Sequence, residues 1–330
     1  MASLYRQILK KAWYIARKFR YLWLLGIFVA FLGNGSEYQV LFQQVGKVQS
    51  QADTIKIWAE NLNSLVPKLD FAAAKVLLAS LTLTIGLAIF LFFLWLAIAS
   101  LGGLIKGAAL ANNDERLSFR ALLKAGSAKF WPLLGLNIVA KAIVYGFLIL
   151  ILTPLMVVTF AQNSVSANLL IVLLTFLIFI PVAIIVALVT KYASAFVMLN
   201  GEKFWSAFKN GWRLFAANWL ISLEMALILF VINIAVGLIF VVLALLLFSP
   251  FFFFGVIYTI NAPSLFGILM YVSLTLLIVA SLAIGAVLSA FQIGSWTLLY
   301  LKLSSGAKVY SKLVRMVATW PGMFKKKGSD

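Results

Sequence analysis

The stretch Phe204–Met225, FWSAFKNGWRLFAANWLISLEM, joins two segments of opposite character at a tryptophan. Its first part carries Lys209 and Arg213 on an amphipathic helical pattern, as a helix lying in a headgroup layer does. From Trp219 onward the sequence turns apolar and stays so, which is how a membrane span begins. The unit occurs three times. Its short core reads ILKKAW at 8–13, LLKAGS at 122–127 and AFKNGW at 207–212, and Trp23, Trp131 and Trp219 follow where the chain would enter the bilayer. Tryptophan suits that depth because its ring is apolar while its N–H can face headgroups.

The composition agrees. Of 330 residues, 64% are hydrophobic and 11% charged, a balance that makes lipid rather than water the solvent. The chain has no histidine and no cysteine, which removes the commonest general base, the usual zinc ligands, thiol nucleophiles and disulfides. An enzyme, a cofactor and a metal site are therefore not expected. A net charge of +18 would suggest nucleic acid in a soluble protein, but here the lysines and arginines flank apolar runs and no basic-aromatic module remains, so nucleic acid is not expected.

These features predict an all-α, polytopic integral membrane protein with six spans arranged as three hairpins. A surface helix over 1–20 buries Tyr5, Ile8, Leu9, Ala12, Ala16 and Phe19 on one face and leads into span 1 at 21–33. Its basic region is too long and periodic for a cleaved leader. Span 1 is short for a hydrocarbon core that needs about twenty residues. The polar loop 34–70 shows an apolar stripe from Leu41 to Leu69, started by Asn34 and Glu37 and limited by Pro67. It reads as an amphipathic helix over the outer mouth, or as a coiled-coil contact with another chain. Span 2 follows at 71–105, with a small-residue ladder of Ala99, Gly103, Gly107 and Ala111 for close helix approach. Asp114 and Glu115 fall in a turn before the surface helix 118–131, capped by Ser118 and ended by Pro132. Span 3 covers 133–160 and span 4 covers 168–197. The surface helix 204–218 leads into span 5 at 219–248, and span 6 covers 265–301. Between the last two, residues 251–260 are too few to cross and read as interfacial or re-entrant. Span 6 carries two further ladders, Ser281, Gly285, Ser289 and Ala286, Ala290, Gly294. A basic tail occupies 304–330.

Alternate sides of this arrangement carry 21 and 3 basic residues, which puts both termini in the cytoplasm, the 34–70 helix outside and the protein in the cytoplasmic (inner) membrane. Arg6, Lys10, Lys124, Lys209, Arg213, Lys325, Lys326 and Lys327 then face anionic lipid headgroups. Lys75 and Lys191 lie near span ends, where snorkelling accounts for them. Lys141 and Glu224 lie deeper, ten and five residues past Trp131 and Trp219. An isolated intramembrane charge is costly, so the two are expected to pair, with Asn137 and Asn233 as polar neighbours. Such a pair either marks a transport pathway or only fixes helix register.

The segments KKAWYIARKFRYLWLLGIFVAFLGNGSEYQ and FWSAFKNGWRLFAANW resemble a broad group of uncharacterised bacterial six-span membrane proteins. That group looks akin to the membrane domain fused to some glycerophosphodiester phosphodiesterases. The resemblance carries over no catalytic residues. With no histidine and no room for a soluble barrel, the phosphodiesterase activity is not implied. The expected function is that of a non-enzymatic bundle binding or organising membrane lipids or other membrane proteins, itself included. The alternative is a transporter or lipid-translocating protein with its pathway near Lys141 and Glu224.

Overall fold

The computed structural model describes residues 4–30, 72–115, 118–161, 165–261 and 263–306. The described residues form helices and their connections, without strands: α1 (Leu4–Lys18), α2 (Tyr21–Ala30), α3 (Ala72–Asn112), α4 (Phe119–Ser127), α5 (Phe130–Ala161), α6 (Val165–Leu199), α7 (Phe204–Ala217), α8 (Trp219–Asn261) and α9 (Pro263–Ser304). The 34–70 helix, residues 307–330 of the tail and the three tail lysines lie outside the described residues.

Five helices, α3, α5, α6, α8 and α9, are long and apolar enough to cross a membrane. The protein is therefore an all-α protein built for membrane integration. The expected first span is described as the ten-residue apolar helix α2, too short to cross by itself. Two boundaries differ from expectation. The second amphipathic helix stops at Ser127, not at Pro132; Ala128 and Lys129 break the chain, and Pro132 sits in the first turn of α5, where its missing N–H costs nothing. Residues 251–260 are not a separate piece, because α8 runs through Pro250 to Asn261. A proline inside a long apolar helix is tolerated where neighbouring groups re-satisfy the freed carbonyl.

Three of the long helices, α3, α6 and α9, pack against one another, and each carries its hairpin partner, α2, α5 and α8 respectively. The three share a buried serine, Ser100, Ser194 and Ser295, each preceded by a small residue, Ala99, Ala193 and Gly294. Against those small residues dock the three amphipathic helices: α4 on α3, α7 on α6, and α1 on α9. A Cβ added to Gly126 would lie 1.9 Å from the Ala99 carbonyl oxygen, one added to Gly211 2.9 Å from the Ala193 nitrogen, and one added to Gly294 3.9 Å from Ala12. Ala12, Gly126 and Gly211 occupy the same place in the repeated core. The repeat legible in sequence is thus a repeated docking contact, closed into a ring because the first amphipathic helix sits on the last long one.

Aromatic contacts between the C-terminal parts of α6 and α9, Tyr192 with Trp296 and Phe196 with Tyr300, hold those ends side by side. Lys18 at the end of α1 donates to Asp114 beyond α3 at 2.6 Å, and this hydrogen bond raises the lysine pKa. Asp114 occupies the left-handed region, φ 60°, so it serves as the turn residue expected. Burial concentrates at this end. Residues 96–100 of α3 are buried, whereas residues 85–93 of the same helix are apolar and exposed on every face. A helix that is apolar all round and unburied by protein needs lipid about it.

The amphipathic faces follow the sequence. In α1, Tyr5, Ile8, Ala12, Ile15, Ala16 and Phe19 are buried, with Leu9 half-buried, and Arg6 and Lys10 point outward. Lys124, Lys209 and Arg213 are likewise exposed, as are Trp13, Trp131, Trp205, Trp212 and Trp219. Trp23 differs, since its ring N–H turns back to the Ala16 carbonyl at 2.7 Å and closes the end of α1.

Candidate functional site

Between α3, α5, α6 and α9 lies a cavity of about 200 Å³ whose wall mixes polar with apolar side chains. From α5 it receives Asn137 and Lys141, one turn apart on the same face. From α6 it receives Thr190, Lys191 and Ser194, and from α9 Trp296 and Thr297. Apolar residues of all four helices complete the wall, and no aspartate or glutamate lines it.

Each polar group is positioned by its own helix. Asn137 donates one amide hydrogen to the Leu133 carbonyl at 2.9 Å, which fixes the side chain and leaves the second hydrogen available. Thr190 and Thr297 donate their hydroxyls to the carbonyls four residues back, Val186 and Ile293, so they present lone pairs rather than hydrogens. The Lys191 ammonium stands 5.2 Å from the centre of the Trp296 ring, a cation–π contact that steadies it. Lys141 and Lys191 are both half-buried. By helix rise, Lys141 lies about 16 Å into α5 and Lys191 about 12 Å before the end of α6. The cavity wall thus brings together two ammonium groups, a serine hydroxyl and an amide N–H among apolar side chains.

The expected pairing of Lys141 with Glu224 is not formed. Glu224 is 9% exposed and accepts a hydrogen bond from the Tyr5 hydroxyl of α1. Lys141 faces the cavity, which Glu224 does not line. The physical reason is rotational: α5 packs on α6 and α3 while Glu224 on α8 turns toward α1. Asn137 does neighbour Lys141. Asn233 does not, because its carbonyl oxygen accepts from Gln292 of α9 at 2.5 Å. Sequence reasoning passed over Lys191, whose snorkelling explanation was sufficient, together with Ser194, Trp296 and Thr297. The three-residue step from Lys191 to Ser194 was the signal that could have placed both on one face.

A second concavity, about 590 Å³, lies between α1, α8 and α9, lined by Leu9, Trp13, Ile232, Val236, Leu288 and Phe291 among others. Lys10 is the one charged residue in its wall.

A family model described as a domain of unknown function, DUF7847, matches residues 12–303. The chain belongs to this family. The matched span runs from Ala12 of α1 to Leu303 of α9, so the family's domain takes in the long helices, the docked helices and the cavity together. Nothing among curated proteins and nothing among solved structures matches the chain.

Proposed function

We propose that the protein is a non-enzymatic integral membrane protein that binds and organises anionic lipid along the inner face of the cytoplasmic membrane. The observation that carries this reading is the ring of docked amphipathic helices. All three set their apolar faces against the long helices and leave Arg6, Lys10, Lys124, Lys209 and Arg213 exposed. A basic residue close to an anionic surface contributes about 1 kcal/mol, so five together give a preference a neutral shelf would lack. The apolar groove below Lys10 suits an acyl chain whose headgroup meets that ammonium.

Brominated lipids test it, since bromine quenches the exposed tryptophans of the shelf. Brominated phosphatidylglycerol is expected to quench the wild-type protein more strongly than brominated phosphatidylcholine. With all five basic residues changed to glutamine, the two lipids should quench alike. A preference that survives the five changes would refute the reading.

The orientation is part of the proposal: six crossings, with α2 the beginning of the first, and both termini inside. It follows from the basic-residue bias. Because the chain has no cysteine, a single Lys302→Cys substitution gives one thiol, at an exposed position in the last turn of the last long helix. A membrane-impermeant maleimide should label it only after permeabilisation, and labelling in intact cells would reverse the topology. The transport alternative is weaker, because its pathway joined Lys141 to Glu224 and the two face different surroundings.

A further inference from the structure

We propose that the groove between α1, α8 and α9 seats one anionic glycerophospholipid, with an acyl chain along α9 and the headgroup phosphate at Lys10. The inference rests on the lipid-binding reading above and narrows it from a surface preference to a single site.

Shape is the first argument. Ala283, Val287 and Phe291 follow one another by single turns of α9 along the groove, and Ile232 and Val236 do so on α8. From Ala283 to Phe291 the helix rises about 12 Å. One leaflet's hydrocarbon is roughly 15 Å deep, half of the bilayer core. The groove therefore follows α9 through most of a leaflet, and its 590 Å³ lies within the range of about 300–1,000 Å³ usual for ligand sites.

Polarity along that axis is the second argument. Gly294, three residues past Phe291, faces Ala12 of the docked α1, so Phe291 marks the headgroup end and Ala283 the deeper one. Lys10 of α1 enters the wall and is exposed, and Arg6 is exposed one turn back on the same face. Cations at one end and apolar side chains along the rest match an anionic phospholipid. A second copy of this chain fits less well, because its own Arg6 and Lys10 would bring like charge to the same place.

The repeat gives the third. Two of the three docking contacts set backbone against backbone, at 1.9 Å for a Cβ on Gly126 and 2.9 Å for one on Gly211. The contact that closes the ring is looser, with Ala12 3.9 Å from a Cβ on Gly294. The groove opens beside this joint: Trp13 and Phe291, its neighbours on α1 and α9, meet edge to face at 6.0 Å and both line the wall. Polar ties hold α8 to the other two walls, Tyr5 of α1 donating to Glu224 and Gln292 of α9 donating to Asn233. Such ties keep the three walls in a fixed relation, so a lipid meets a formed site.

Native mass spectrometry of the full chain in mild detergent tests this with dioleoyl phosphatidylglycerol and dioleoyl phosphatidylcholine as probes. Wild type is expected to retain one phosphatidylglycerol per chain at collision energies that strip phosphatidylcholine. Ala283→Phe projects a ring from an exposed position of the groove wall and should lower that retention about tenfold. Ser281→Phe, exposed on the same helix but outside the wall, should leave it unchanged, which separates occlusion from damage to α9. Lys10→Gln alters one exposed side chain and should bring phosphatidylglycerol down to the phosphatidylcholine level, whereas Lys10→Arg should keep the difference. The inference is overturned if Ala283→Phe, folded by circular dichroism and gel filtration, retains phosphatidylglycerol as wild type does, or if Lys10→Gln keeps the full preference. Equal retention of phosphatidylcholine by wild type overturns it too, as does a lipid-free dimer that Ala283→Phe dissociates. Ala283→Phe leaves all five basic residues of the shelf in place, so the two proposals separate. If it keeps its lipid while the five-glutamine variant loses its quenching preference, the groove falls and the shelf stands. If it loses its lipid while the five-glutamine variant keeps that preference, the shelf falls and the groove stands.

Discussion

Gly126→Ala is expected to lower stability by about 3 kcal/mol, a large loss for the addition of one methyl group. The added carbon would sit 1.9 Å from the Ala99 carbonyl oxygen, 2.8 Å from its carbonyl carbon and 2.8 Å from the Gly103 nitrogen. All three atoms are backbone of α3, so no side chain can rotate out of the way. Helix α4 would have to lift from α3 by more than an ångström. Leu122, fully buried against Gly103 and Gly107, would lift with it. Thermal unfolding in detergent, followed by intrinsic fluorescence, measures the loss. The comparison that gives it meaning is Gly237→Ala in α8, where nothing lies within 4 Å of the added carbon. There the better helix propensity of alanine should leave stability unchanged or raise it by up to about 1 kcal/mol. Equal melting of the two variants would show that α4 does not dock as described.

Gly26→Ala should be nearly as costly, at about 2 to 3 kcal/mol. Its Cβ would meet the Ala286 carbonyl oxygen at 2.3 Å, with the carbonyl carbon at 3.0 Å and Cα at 3.2 Å. Helix α2 is seated on α9 here, with Leu22, Leu25 and Val29 buried on either side of the glycine. The obstacle is again main chain, so Ala286→Gly in the same molecule should restore none of the loss. Full rescue by that second change would mean that side chains, not backbones, meet at this crossing. The sequence ladder Ala286, Ala290, Gly294 anticipated close approach to a neighbour without naming it. The neighbours are Gly26 of α2 and Ala12 of α1. The other ladder fares less evenly: Gly285 approaches Ala30, whereas Ser281 is exposed.

The amphipathic helices were legible because their pattern is written in the residues themselves. Arg6 and Lys10 alternate with Tyr5, Ile8 and Ala12 at helical spacing, and only one rotation buries the second set. The long helices carry no such instruction. Around Lys141 and Glu224 nearly every position is apolar, so any face could turn inward at similar cost. Depth could be counted from Trp131 and Trp219. Azimuth could not. Pairing two opposite charges at similar depth was the natural expectation, yet α8 presents its carboxylate to Tyr5 while Lys141 of α5 lines the cavity.

From residue chemistry alone came the helical class, the lipid solvent, the threefold recurrence and the outward basic faces, because each depends on local composition and on the fixed pitch of a helix. Only packing decided which glycine meets which carbonyl, that the first amphipathic helix closes the ring on the last long one, and that two lysines share a cavity. Those outcomes depend on how uniformly greasy cylinders are rotated against each other. Backbone contact at Gly26, Gly126 and Gly211 sets that rotation, and hydropathy does not encode it.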